Sequence, residues 1–255
     1  GLQPAQITAL TTAQIPNLTE AQIAIMTGEQ LAALDTADVA LLAPTLFGKI
    51  AGPSIQGFTE AQMGAMTSAQ AASLTTAQAY YIDFEDIDNI STAAIAAMTP
   101  AALASLSNKQ LKGLTSAQLA ALTTAQVAGL GVDDVVAFTT AQMQGLATRQ
   151  ISALTKTQMP VFSGEQLAAI DATDMPSLSL AAVEAITGGQ ISQLTTGQLS
   201  RLTSAQVAAI STSAIDDLSA DQILGLTSTQ ISSLTAKQIV ALTADQIKAL
   251  DPAQD

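Results

Sequence analysis

Stepping by eight from Leu2 to Leu250, the chain visits 32 positions, and every one holds Leu, Ile, Met or Phe. Five residues after each comes a second apolar position, running Ile7, Ile15, Ile23, Leu31, Val39 and on to Ile247. It is filled in all 31 cases, though only by alanine at Ala71 and Ala79. The unit reads L-T-x-A-Q-I-x-A. A period held without insertion from end to end marks a repeat array, in which each unit buries its apolar positions on its neighbours. The pattern predicts one continuous array over residues 1–255, with no internal domain boundary.

An unbroken α-helix turns about 100° per residue, so successive leucines would drift about 80° around its axis and leave it apolar on every side. In a strand, positions five apart point to opposite faces, and Ala and Gln are poor strand formers. The residue after each leucine decides the matter. In 27 of 32 octads it is Thr, Ser or Asp, whose side-chain oxygen accepts from the free N–H groups of a helix start. In 22 of 32 octads Gln stands three residues later, as in Thr115 with Gln118 or Thr203 with Gln206, the spacing of a reciprocal capping box. Helices therefore restart every octad. Pro4, Pro44, Pro100 and Pro252 follow the capping position directly, where a missing N–H costs nothing. Pro16, Pro160 and Pro176 fall four residues further on, where each removes a helical bond.

The predicted fold class is all-α: a solenoid of very short capped helices, forming a rod or superhelix. Small residues before the leucines, such as Gly113, Gly129 and Gly145, are expected to let the chain bend sharply and to let neighbouring elements approach closely. Taken two to a coil, the 32 octads make 16 coils and a length on the order of 140 Å.

Function in a periodic scaffold is expected where the period fails. Gln is lost at Asp38, Leu46 and Ser54, at Asp86, Ala94 and Ala102, at Asp134, at Asp174 and Ala182, and at Ala214. These groups open at Leu34, Ile82, Leu130, Ile170 and Ile210, separated by 48, 48, 40 and 40 residues. A superhelical turn of five or six octads would align them along one side. In YYIDFEDIDNI, residues 80–90, Asp83, Glu85, Asp86 and Asp88 could offer oxygens to Ca²⁺. The stretch lacks the glycine and terminal glutamate of an EF-hand, and a solvated face of capping acids is the other reading. Residues 41–58 match the repeat least, with Ala43 and Ala51 at capping positions. Leu46, Phe47 and Ile50 there, with Tyr80 and Tyr81, are candidate contact residues, against the alternative of a repacked core.

Composition narrows the function. Aromatics are only 3% of the chain, so the core is built from thin aliphatic layers. Lys and Arg number 8 against 21 acids, a formal net charge of −13, which repels phosphate backbones and anionic surfaces; nucleic acid is not an expected partner. Without His or Cys there is no Ser-His-Asp or Cys-His set, and no glycine-rich phosphate loop appears. No enzymatic activity and no cofactor is expected, the Ca²⁺ reading apart. No apolar run approaches the roughly 20 residues of a membrane helix, so no membrane insertion is expected. The chain opens at Gly1 without a charged-then-apolar leader, so any signal sequence is expected to have been removed or to lie outside it. Regularly spaced threonines, such as Thr11, Thr19 and Thr27, raise the alternative of an ice-binding face, although helix capping already occupies their hydroxyls.

The phrases LTSAQLAAL at 114–122 and LTADQIKAL at 242–250 resemble the units of long, low-complexity bacterial surface proteins built from LTTAQI-type repeats. The resemblance covers the whole chain. It implies an extracellular structural repeat protein, a segment of a surface stalk, adhesin or self-assembling filament, with itself as principal partner and other surface proteins or glycans as further ones. The alternative is a solenoid recognition module that binds a protein or glycan along a groove.

Overall fold

The computed structural model describes residues 2–250, and all its secondary structure is helical. It divides into two compact units, Gly1–Leu130 and Gly131–Asp255. The same local plan builds both.

The octad at 114–121 shows that plan. Leu114 and Thr115 are both extended, with ψ of 130° and 157°, and the helix Ser116–Ala121 starts directly after them. Thr115 caps it: the Thr115 hydroxyl accepts from the Gln118 N–H at 3.2 Å, and the Gln118 side-chain oxygen accepts from the Thr115 N–H at 2.8 Å. The Leu119 N–H donates to the Thr115 carbonyl, and the Leu122 N–H donates back to Leu119. At Leu122 the chain is extended again, and Thr123 starts the next helix. The α-helices run from four residues, as in Pro44–Phe47, to seven in Ala244–Leu250. Such helices do not survive alone in water, because nucleation is costly and only packing offsets it.

The bend is made by this extended Leu–Thr pair. No described residue, glycine included, has positive φ, so the small residues before the leucines are not there to turn the chain. Gly57 shows their use. A Cβ there would lie 2.1 Å from the Gly28 Cα, so this glycine lets successive turns touch backbone to backbone. Prolines act as their positions require. Pro4, Pro44 and Pro100 open the α-helices Pro4–Thr8, Pro44–Phe47 and Pro100–Leu103. Pro16, Pro160 and Pro176 sit in the 3-10 segments Ile15–Asn17, Met159–Val161 and Ala172–Ser177, where the shorter i to i+3 bonds replace the one that proline removes. Pro252 lies outside the described residues.

Both apolar rows face the core. Leu114, Leu119, Leu122 and Val127 are all buried, as are Ala71 and Ala79. One of these alanines belongs to a helix packed on a larger neighbour: Pro44–Phe47, with the bulky Phe47, packs on Ser68–Ser73, which holds Ala71. Volume is thus exchanged across the joint rather than lost.

Turns stack at offsets of 28 to 31 residues, as when Gln70 reaches Val39 and Leu42. A turn therefore holds between three and four octads. This corrects the pairwise coil, because two octads fall well short of the 28 to 31 residues that separate the groups bonded between turns. Helical segments three octads apart pack on one another, as Thr36–Leu41 on Glu60–Gly64 and Glu60–Gly64 on Ile87–Asn89, so within the first unit the variant octads that open at Leu34 and Ile82 are linked by two such steps.

Candidate functional site

The most regular chemical feature of the chain is a ladder of glutamines. Gln118 is buried and has every polar atom engaged. Its side-chain oxygen takes the Thr115 N–H and hydroxyl, while its NH₂ donates to the carbonyls of Ile87 at 2.8 Å and Ile90 at 2.7 Å. Those carbonyls stand at the end of a helical segment one turn earlier, where helices leave acceptors without internal partners. One amide thus caps the start of its own helix and the end of another. Fourteen glutamines from Gln62 to Gln246 make the same pair of bonds within the two units, the second of each pair at 2.6 to 2.8 Å. Gln30 likewise reaches the Leu2 carbonyl.

Capping alone conceals this second role, because a capping box is served equally well by glutamate. A signal was nevertheless present. In a chain with an acid excess, none of the 32 octads carries Glu at the glutamine position. A carboxylate there would face two carbonyl oxygens with no proton to donate.

In three octads that lack the glutamine the cap survives without the rung. Ser91, Thr99 and Ser179 still accept from the N–H of Ala94, Ala102 and Ala182, and those alanines are fully buried. The aspartates behave individually. Asp134 accepts from the Gly131 N–H at 2.7 Å, and burial outweighs that bond to raise its pKa. Asp174 accepts from the Thr148 hydroxyl at 2.6 Å. Asp171 takes the N–H and hydroxyl of Thr173, which lower its pKa. Asp38 is the exception. It is buried, its Oδ1 has no hydrogen-bond partner, and burial, followed by the nearby Asp35, raises its pKa.

The candidate contact residues separate into two groups. Leu46, Phe47 and Ile50 are core residues, not a contact surface. Ala43 and Ala51 offer no capping oxygen, yet both keep the extended backbone of the octad corner. Phe47 and Ile50 therefore remain in the two apolar rows, and Phe47 stacks on Phe58 at 5.7 Å between centroids. Tyr80 is exposed and Tyr81 half-buried, and the two rings meet edge to face at 5.4 Å.

The acids beside them do not assemble into a metal site. Among the described residues no three acidic side chains are grouped so as to hold a metal ion. Asp83 turns back to accept from the Glu85 N–H, and Asp88 accepts from the Asn89 amide. Asp86 is half-buried, and burial, then the charges of Asp83, Glu60, Glu85 and Asp88, raise its pKa.

What this stretch forms instead is an open cavity of about 480 Å³, lined by Gln56, Tyr80, Tyr81, Asp83, Phe84 and Lys109 among others. Phe84 was not singled out by the octad pattern. It is 43% exposed, with the Lys109 ammonium 4.8 Å above its ring centroid.

No described helix is long and apolar enough to cross a membrane. No curated protein matches the chain. The family model of the ALTTAQ repeat matches residues 1–36 and 100–132, and the words ALTTAQ themselves stand at 9–14 and 121–126, so the chain is a helical repeat protein whose matched segments are similar to that repeat.

Proposed function

We propose that this repeat protein is a structural element: a segment of an extracellular bacterial surface stalk, adhesin or self-assembling filament, working by spacing and packing and not by catalysis. The glutamine ladder carries this reading. Each turn offers amide donors and leucines to the turn before it, and carbonyls and isoleucines to the turn after it. The joint is the same at rung after rung, so any run of such octads can receive another.

Partners on this reading are further copies, with other surface proteins or glycans along the flanks. Sedimentation velocity and electron microscopy of the full chain over a range of concentrations test the assembly. End-to-end oligomers or fibres are expected, and a monomer at every concentration would overturn self-assembly. Protease treatment of intact cells tests the location. Released peptides are expected, and complete protection would overturn an extracellular site.

A second reading, a recognition module, is favoured by one observation, the exposed aromatic cavity at Tyr80, Tyr81 and Phe84.

A further inference from the structure

The chain has two tyrosines, five phenylalanines and no tryptophan. Phe47, Phe58, Phe138 and Phe162 are buried in the core. All remaining aromatic surface, from Tyr80, Tyr81 and Phe84, is gathered in one cavity of the first unit. These rings occupy octad positions elsewhere given mostly to Ala, Ser, Thr and Gly. A neighbouring turn makes room for one of them: a Cβ at Gly52 would lie 3.0 Å from the Tyr81 ring.

Charge selects the occupant. Asp83 lines the cavity, and Glu85, Asp86 and Asp88 follow within five residues. Two of the neutral hydrogen-bonding groups that a sugar would use are already committed: the Ser107 hydroxyl donates to the Gln110 side-chain oxygen, and the Gln110 amide donates to the Ala79 and Ile82 carbonyls. The Phe84 face already holds a cation, the ammonium of Lys109. Aromatic faces attract cations, guanidinium most effectively because it stacks on the ring and pairs with carboxylate at once. We propose that the Tyr80–Tyr81–Phe84 cavity is a docking surface for an arginine-bearing, net-positive peptide segment of a partner protein. A second copy of this chain is a poor occupant of this cavity, since it has only 8 Lys and Arg against 21 acids. The surface is independent of self-assembly, and either property can fail without the other.

Both tyrosines lie in the cavity and there is no tryptophan, so intrinsic tyrosine fluorescence reports on this place alone. The full chain is titrated with a blocked peptide alternating arginine and glycine. Parallel titrations use the same peptide with citrulline for arginine, a glutamate–glycine peptide, and chito- and cello-oligosaccharides. The arginine peptide is expected to give a saturable change that weakens as salt is raised. Phe84→Ala and Asp83→Asn are expected to reduce its affinity at least about fivefold, the scale of an interface hot spot. Lys109→Ala, which vacates the Phe84 face and removes a like charge, is expected to tighten it. Phe84 and Lys109 are surface side chains, so these two variants leave the core intact. The proposal is overturned if citrulline serves as well as arginine, if the acidic peptide or a sugar binds more tightly, if Phe84→Ala and Lys109→Ala both leave the affinity unchanged, or if no peptide alters the signal.

Discussion

The side-chain amide of Gln118 donates to the carbonyl of Ile90 at 2.7 Å, tying together residues 28 positions apart. The same amide serves the Thr115 cap, so its loss opens two places at once. Gln118→Ala leaves a buried N–H and a buried carbonyl without their partner, and a cost of about 2–4 kcal/mol is expected. Gln118→Glu keeps the cap acceptor but sets a carboxylate against carbonyl oxygens, so it should be as damaging at neutral pH. Its folded pKa would lie above its unfolded one, and stability should return as pH falls. Thermal unfolding of both variants across pH checks this. Equal, pH-independent losses would show that the donor to Ile90 contributes nothing.

Asp38 stands at the ladder position with a buried, unpartnered oxygen and a pKa raised by burial and then by Asp35. A group whose folded pKa exceeds its unfolded value makes its full contribution below the unfolded value, about 3.9 for Asp. That contribution is lost as pH rises through the folded pKa. Asp38→Asn, of the same size and neutral, should therefore be more stable than the parent at neutral pH and should match it in acid. Asp38→Gln adds the reach needed to make a rung, and a further gain of about 1 kcal/mol is expected. Parallel melting-temperature profiles for Asp38→Asn and the parent would remove Asp38 as the titrating group.

The period and the capping residues made the short helices legible, because each fact concerns neighbours in sequence. Thr115 with Gln118 specifies a start, and Pro176 specifies the loss of one α-helical bond. The path of the chain was not legible in the same way. A period of eight states how often the helix restarts, whereas the number of octads in a turn depends on which side chains meet across it. The residue that answers this is the glutamine, and the clue was that glutamate never replaces it. The candidate site divides similarly. Tyr80 and Tyr81 were conspicuous because two large rings break a row of small residues. Leu46, Phe47 and Ile50 stood between contact surface and repacked core because Ala43 and Ala51 cannot cap, and their burial favours the core, since an octad can keep its corner and its core without a cap.

Two glycines offer opposite outcomes for one substitution. A Cβ at Gly57 would fall 2.1 Å from the Gly28 Cα, an approach that only a backbone shift can relieve. Gly57→Ala is expected to cost about 1–3 kcal/mol. Gly189 lies inside the helix Gly188–Ile191, with nothing within 4 Å of the added atom. Gly189→Ala should gain roughly 0.5–1 kcal/mol by restricting the unfolded chain. Denaturation of the two variants beside the parent decides. A neutral Gly57→Ala would mean that the turns do not meet backbone to backbone at this joint.

The caps themselves predict an asymmetry. At Thr139 the hydroxyl accepts from the Gln142 N–H at 3.1 Å. At Ala147, which has no such oxygen, the Gln150 N–H turns instead to the Ala147 carbonyl at 2.7 Å, tightening the first turn. The donor is satisfied either way, so adding a hydroxyl replaces a bond already made, whereas removing one forces the turn to rearrange. Thr139→Ala is expected to cost about 1 kcal/mol, and Ala147→Thr to gain only about 0.3 kcal/mol. Amide hydrogen exchange gives the local reading: the Gln142 N–H should exchange faster in Thr139→Ala, while the Gln150 N–H should barely change in Ala147→Thr. Equal and opposite effects would mean that the tightened turn at Ala147 is no substitute for a cap.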